Sequence, residues 1–412
     1  MKPSYKRLKL ACYTTNISMA VVANLPPLLF LTFRSLYGIS YTLLGMLVLI
    51  NFLTQLCVDL IFSFFSHKFN IRKTVRFTPI LTVLGLLLYA AAPILFPSAV
   101  YVGLLIGTVL FSASGGLAEV LISPVIAAIP SKDPDREMSK LHSVYAWGVV
   151  PVVALSTLFL LFLDAARWQW LVLIFTMIPL VAAILFHTSQ IPEMKTPEKT
   201  SGALHFLKNR GVWLCVGAIF LGGASECTMA QWCSGYIEQA LGIPKVWGDL
   251  FGVALFGMML GIGRTLYARM GKNIGRVLFL STIGASLCYF AAAVSPIPLV
   301  GLVACALTGF CTAMLWPGNL IVASERFPSG GVLIYALMAA GGDFGASVGP
   351  QLVGVITDLA ISGSTLSSWA TAIGIAPEQL GMKLGMLVGM LFPLLAIPVS
   401  LLLWKGQKRK QK

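Results

Sequence analysis

Four carboxylic side chains fall inside stretches of this sequence that are otherwise oily: Asp59, Glu119, Glu226 and Asp343. A charge at the centre of hydrocarbon costs about 2.5–3.5 kcal/mol on insertion scales, so such groups face a bundle interior or a water-filled path and carry a task. Without any covalent step, a carboxyl there can do two things. It can take up and release a proton, or it can accept hydrogen bonds from the hydroxyl and amine groups of a solute. The neighbouring residues repeat the theme. Asn51, Gln55 and Asp59 are spaced by four, as are Asp343, Ser347 and Gln351. Steps of four drift by only ~40° on an α-helix, so each triplet makes one polar stripe. Glu226 is followed by Gln231, Trp232 and Ser234. The plainer role for each stripe is hydrogen bonding between helices, worth ~0.6 kcal/mol per contact on average.

The elements that must position these groups are transmembrane helices. The 412 residues are 57% hydrophobic and 11% charged, with a mean hydropathy of +0.86, whereas soluble domains carry about 25% charged residues. Twelve apolar runs recur, at 8–33, 41–65, 74–95, 99–128, 141–163, 168–187, 211–238, 248–268, 277–294, 297–323, 331–357 and 383–404. Each approaches or exceeds the ~20 residues that span ~30 Å of hydrocarbon as helix. The short alternating segments of a membrane β-barrel do not occur. The fold class expected is an all-α membrane protein.

A net charge of +14 would point a soluble chain toward nucleic acid, but the charge is distributed by side. With the N-terminus inside, the inner connections hold Lys6, Arg7, Lys9, Lys68, Arg72, Lys73, Arg76, Arg269, Lys272 and Arg276, and the tail adds Lys405, Lys408 and Arg409. The opposite side holds only Arg34, Arg167, Lys245 and Lys383. This asymmetry predicts cytoplasmic termini and no nucleic-acid partner. The expected setting is the lipid bilayer of a plasma (inner) membrane, with the chain a monomer. The first run is too long for a signal-peptide core and reads as a retained helix. The eight cysteines all fall in spans without a CxxC pair, so neither zinc nor a disulfide framework is expected, and no cofactor is implied. HExxH and a phosphate-binding loop with Lys are absent, so an enzyme is not expected.

The longest inner connection, 188–210, follows six spans and divides the chain into 1–187 and 211–412. The halves echo each other: Gly116 stands eight residues before Pro124, and Gly309 eight before Pro317. After span two comes His67-Lys68-Phe69-Asn70-Ile71-Arg72-Lys73, and after span eight Ala268-Arg269-Met270-Gly271-Lys272. Both are similar to the basic signature loop of the major facilitator superfamily, two parallel six-helix repeats. The resemblance implies gating at His67, Lys68, Arg72 and Arg269. The alternative for these cations is ordinary inner-side charge.

Within that superfamily, Gly115-Gly116-Leu117-Ala118-Glu119 with Ser123-Pro124 resembles the fucose permease-like sugar:proton symporters. Gly223-Ala224-Ser225-Glu226, Trp316-Pro317 and Gly341-Gly342 fit the same pattern. Span one departs from it, with Asn16 and Asn24 and no acid, and Ser123 stands where that group has Asn. The resemblance implies secondary transport of a small polar solute, a sugar, coupled to protons, by rocking of the two halves. The alternative is a proton-driven exporter of amphipathic or cationic compounds.

Residue depth places Asp59 and Glu119 at one level, where two carboxyls can share a proton; these are the candidate coupling acids. Candidate solute contacts are Asn51, Gln55, Trp147, Glu226, Gln231, Trp232, Trp316, Asp343, Ser347 and Gln351. The residues leave open which acids serve the proton and which the solute. Indole faces at Trp147, Trp232 and Trp316 could stack on a sugar ring or simply fill space. Arg264, near the inner end of span eight, is the one candidate for a cation within the membrane, which favours a neutral or cationic solute. Gly257-x-x-x-Gly261 and Gly345-x-x-x-Gly349 predict close helix approach.

Overall fold

The computed structural model describes residues 5–65, 68–131, 134–192, 208–327 and 331–410. Its helices are α1 (Lys6–Leu28), α2 (Phe30–Tyr37), α3 (Tyr41–Phe65), α4 (Ile71–Leu95), α5 (Val100–Ala128), α6 (Pro134–Leu163) and α7 (Trp168–His187). After the connection come α8 (Arg210–Leu241), α9 (Leu255–Met270), α10 (Ile274–Val294), α11 (Pro298–Thr312) and α12 (Pro317–Arg326). The chain continues through α13 (Gly331–Ser362), α14 (Ser364–Ala372) and α15 (Pro377–Lys410). No strand occurs among the described residues. Short polar caps punctuate the apolar runs. Asn70 accepts from the Lys73 amide (3.1 Å) and Asn209 from the Gly211 amide (2.8 Å), while Gly242 closes α8 at φ +64°.

Among the described residues, eleven stretches are each long and apolar enough to cross a membrane, and the pair α1–α2, bent by 46°, makes a twelfth if it is taken as one span. Three spans are not the continuous helices that periodicity predicts. Span one breaks at Leu29, just after Pro26 and Pro27, whose missing amides remove two rungs of the ladder. Span eight opens with a short helix, Lys245–Gly248, and a π-helical turn over Asp249–Ala254 before α9. Span ten is interrupted at 313–316, between α11 and α12.

Contacts gather the chain into two compact units. One holds the described residues of 1–32 and 53–200, the other those of 33–52 and 201–412. The first is centred on Leu8, Val75, Leu117, Val125, Leu141 and Phe186. The second is centred on Ile219, Leu278, Leu315, Ile334, Met338 and Leu403. Residues 33–52 belong to the second unit for visible reasons. Arg34 pairs with Glu378 (2.8 Å) and lies 4.2 Å from the centre of the Tyr41 ring, while the Tyr41 hydroxyl donates to the same carboxylate (3.0 Å). Asp358 of α13 accepts the amides of Tyr41 (3.1 Å) and Thr42 (2.7 Å), capping α3 from another helix. Much of the 188–210 connection, residues 193–207, lies outside the described residues.

Of the two GxxxG pairs, Gly345 and Gly349 do bring helices together. A Cβ at Gly345 would strike the Phe220 carbonyl of α8, and one at Gly349 the Thr228 hydroxyl. Gly261 is different. Nothing lies within 4 Å of a Cβ placed there, so that glycine seats no neighbouring helix.

Candidate functional site

In the first unit, α3 and α5 meet at the Gly115–Gly116 pair. A Cβ on Gly116 would sit 3.0 Å from Val58 and 3.1 Å from the Gln55 carbonyl, and one on Gly115 would sit 3.2 Å from the Gln55 amide. The absent side chains let the Gln55 turn of α3 seat directly on α5. Asp59 and Glu119 each stand about one turn further along. Asp59 is buried, whereas Glu119 is exposed. That exposure is not part of the apolar face of α5. Val102, Ile106 and Val109 form an exposed apolar line that continues to Pro124 and Ala127. At ~100° per residue, Glu119 lies about 100° round the helix from that line.

A cavity of about 580 Å³ opens between α1 and α6, lined by Tyr13, Ile17, Lys140, Trp147, Gly148 and Pro151. Trp147 is 70% exposed, on the face of α6 that also exposes Pro151, Leu155 and Leu158. Beside the cavity, Glu137 joins Lys9 (2.9 Å), Lys140 (3.3 Å) and the Tyr13 hydroxyl (3.2 Å). Lys9 and then Lys140 hold the Glu137 carboxyl down to about 2, against the opposing effect of burial.

In the second unit, Trp316 sits where two glycines leave room. A Cβ on Gly223 of α8 would lie 3.1 Å from its ring, and one on Gly342 of α13 would lie 2.5 Å away. The residues next along these helices include Glu226 and the buried Asp343. Glu226 pairs with Arg264 of α9 (3.3 Å), and Arg264 also donates from Nε to the Ala313 carbonyl (3.1 Å). The partner of Glu226 was not legible from spacing, because α8 and α9 are brought together only by the tertiary fold. A second cluster that sequence reasoning missed joins Lys245 to the buried Asp249 (3.0 Å) and to Ser234 (2.8 Å).

The remaining candidates divide. Trp232 is fully buried, packs on the Tyr41 ring at 5.9 Å between centroids and donates from Nε1 to the Pro350 carbonyl (2.7 Å). That is the setting of a packing residue. Ser347 is buried and bonds back to the Phe344 carbonyl (2.7 Å). Gln231 and Asn51 are buried, and Gln351 lies against Gly45 of α3. Among the gating candidates, Lys68 sits 5.2 Å from the centre of the Phe65 ring. Arg72 is exposed in the first turn of α4 and Arg269 in the last turn of α9. His67 lies outside the described residues.

The sequence profile of the Major Facilitator Superfamily matches residues 11–350. No curated protein matches the sequence. Among solved structures, a bacterial homologue of the human lysosomal transporter Spinster, inward-facing and occupied, superposes with a TM-score of 0.73 at 14% identity over 98% of both chains. A D-xylose–proton symporter gives 0.70 at 16% identity over 96% of this chain and 99% of that one. The E. coli fucose:proton symporter gives 0.59 at 16% identity, covering 95% and 99%. At these identities the likeness establishes the fold, and the profile match establishes the family. The chain belongs to the major facilitator superfamily and has the fold of its transporters.

Proposed function

We propose that this protein is a secondary active transporter that moves a small polar solute, of the sugar type, with protons by alternating access. The observation that carries the reading is Glu119, an ionisable group turned away from the apolar line of its own helix, one turn beyond the glycine seat of α3. Glu119 and Asp59 are the proposed coupling acids. Gln55, Asn51, Asp343, Gln351 and Trp147 are the proposed solute contacts, and Trp232 is reassigned to packing. Lys68, Arg72 and Arg269 are the proposed gating cations. The moving bodies are proposed to be 1–187 and 211–412 joined by 188–210. The proposed setting is a plasma membrane, with a monomeric chain and cytoplasmic termini.

The xylose and fucose symporters among the structural neighbours support a sugar, and the nucleoside and peptide transporters there widen the field. A second reading, export of amphipathic compounds, is favoured by one feature. The cavity beside Trp147 has an apolar wall of Ile17, Val144 and Pro151 and a volume suited to a drug-sized ligand. Uptake of labelled monosaccharides into proteoliposomes under an imposed pH gradient tests the first reading. Efflux of a cationic dye against that gradient, without sugar uptake, would replace it with the second.

A further inference from the structure

The Glu226–Arg264 pair is built unlike an ordinary ion pair between helices. Its geometry begins with a proline. In a continuous helix the Ala313 carbonyl would accept the amide of residue 317, but residue 317 is proline and has none. Arg264 supplies the missing donor through Nε (3.1 Å), which fixes its guanidinium at the break in span ten. One further donor, on Nη2, reaches Oε1 of Glu226 at a long 3.3 Å. A guanidinium carries five N–H donors. Arg264 remains 37% exposed, and it lies two residues from both Ile262 and Leu266 of the exposed apolar line on α9. At ~100° per residue, that puts it on the opposite face, away from hydrocarbon.

Glu226 supplies the second half. Its side chain is 15% exposed, and Oε2 is buried and accepts no hydrogen bond among the described residues. One oxygen is therefore engaged by a cation, and the other stands where a proton can be held. The other titratable groups nearby are Asp343 of α13 and Cys227, whose thiol is in electrostatic range of Glu226, Asp343 and Arg264. Tyr289 of α10 donates to the Ser225 carbonyl and is not available to the pair.

We infer that Glu226 and Arg264 form a proton-operated anion site, in which ionised Glu226 occupies the guanidinium and protonation at Oε2 releases Arg264 to bind a solute carboxylate. The inference rests on the proposed transport function and narrows its solute to a small hydroxylated monocarboxylate, such as a sugar acid. Charge balance selects the monoanion. One proton enters as one negative charge binds, so the site exchanges its own carboxylate for the solute's. A phosphate monoester would bring a second negative charge that the single proton taken up does not balance.

The test is equilibrium binding of glucuronate, gluconate and lactate to the purified full-length protein between pH 5.5 and 8, with glucose as the neutral control. In the wild type, affinity for at least one acid falls with rising pH, by up to tenfold per unit, as linkage to one proton requires. E226Q should bind that acid tightly at pH 8 with no pH dependence. R264Q should lose roughly 10- to 100-fold in affinity. R264K, which keeps the charge but not the fork, should fall between them and controls for a folding defect. The inference is overturned if no acid binds at any pH, or if acid binding is unchanged in R264Q, or if E226Q keeps the pH dependence. Proton-driven glucose uptake alongside any of those results would leave the transport reading standing without the anion site. Absence of proton-driven uptake of every acid and sugar would count against the transport reading itself.

Discussion

Glu137 shows how a single side chain is set by its neighbours. Lys9 and Lys140 lower its carboxyl to about 2, so it stays ionised throughout the neutral range. A lowered folded-state value stabilises the fold above the ordinary carboxyl range, near 4.3, and that contribution fades as pH falls through about 2. Thermal unfolding of E137Q beside the wild type should therefore show a constant stability deficit from pH 5 to 7 that narrows below pH 4. A deficit that does not change with pH would mean the lysines do not act through the charge. Trp232 predicts a different signature. W232F removes the indole hydrogen bond to the Pro350 carbonyl inside α13, at a cost of about 0.5–1.5 kcal/mol, while solute affinity stays the same. A weakened solute affinity at unchanged stability would return Trp232 to the binding site. At this scale the acids were legible, because residue type against an apolar background is a local property. Their partners were not, since nothing in the spacing of Glu226 and Arg264 anticipates that α8 and α9 bring them within 3.3 Å.

Among the elements, the run 297–323 reads as one helix because its composition stays apolar across the interruption at 313–316. The cause is local all the same: Pro317 withdraws a donor, and the Asn319 side chain caps the Leu315 carbonyl at 2.6 Å. Trp316, projecting from this turn, then needs the bare backbone of Gly223 and Gly342. G342A places a methyl group 2.5 Å from that ring and should destabilise the protein by about 1–3 kcal/mol, read as a lower Tm. If the Tm is unchanged, Trp316 is free to move and is not fixed by packing. Prolines 26 and 27 likewise mark the bend in span one. The glycine pairs were half-legible, because a GxxxG pattern permits close approach but does not choose a partner, as Gly261 shows.

At the scale of the whole molecule, the family and the helical architecture could be read from span lengths, the Gly116/Gly309 echo and the paired basic loops. The grouping of 33–52 with the second unit could not, because it depends on Arg34, Tyr41 and Asp358 meeting partners more than 300 positions away. Arg34 and Glu378 are about one-third exposed, and such a pair contributes about 0.2–1 kcal/mol, little enough to break and reform during a transport cycle. A charge swap, R34E with E378R, should restore whatever uptake rate R34E loses. Failure of the swap to rescue would show that Tyr41, stacked beside the guanidinium, requires arginine at position 34. The central claim is that Glu119 carries the coupled proton. Its most direct test is uptake into proteoliposomes by wild type and E119Q, with and without an imposed pH gradient. The account predicts that E119Q still equilibrates or exchanges solute but no longer accumulates it against a gradient. Undiminished proton-driven accumulation by E119Q would contradict it.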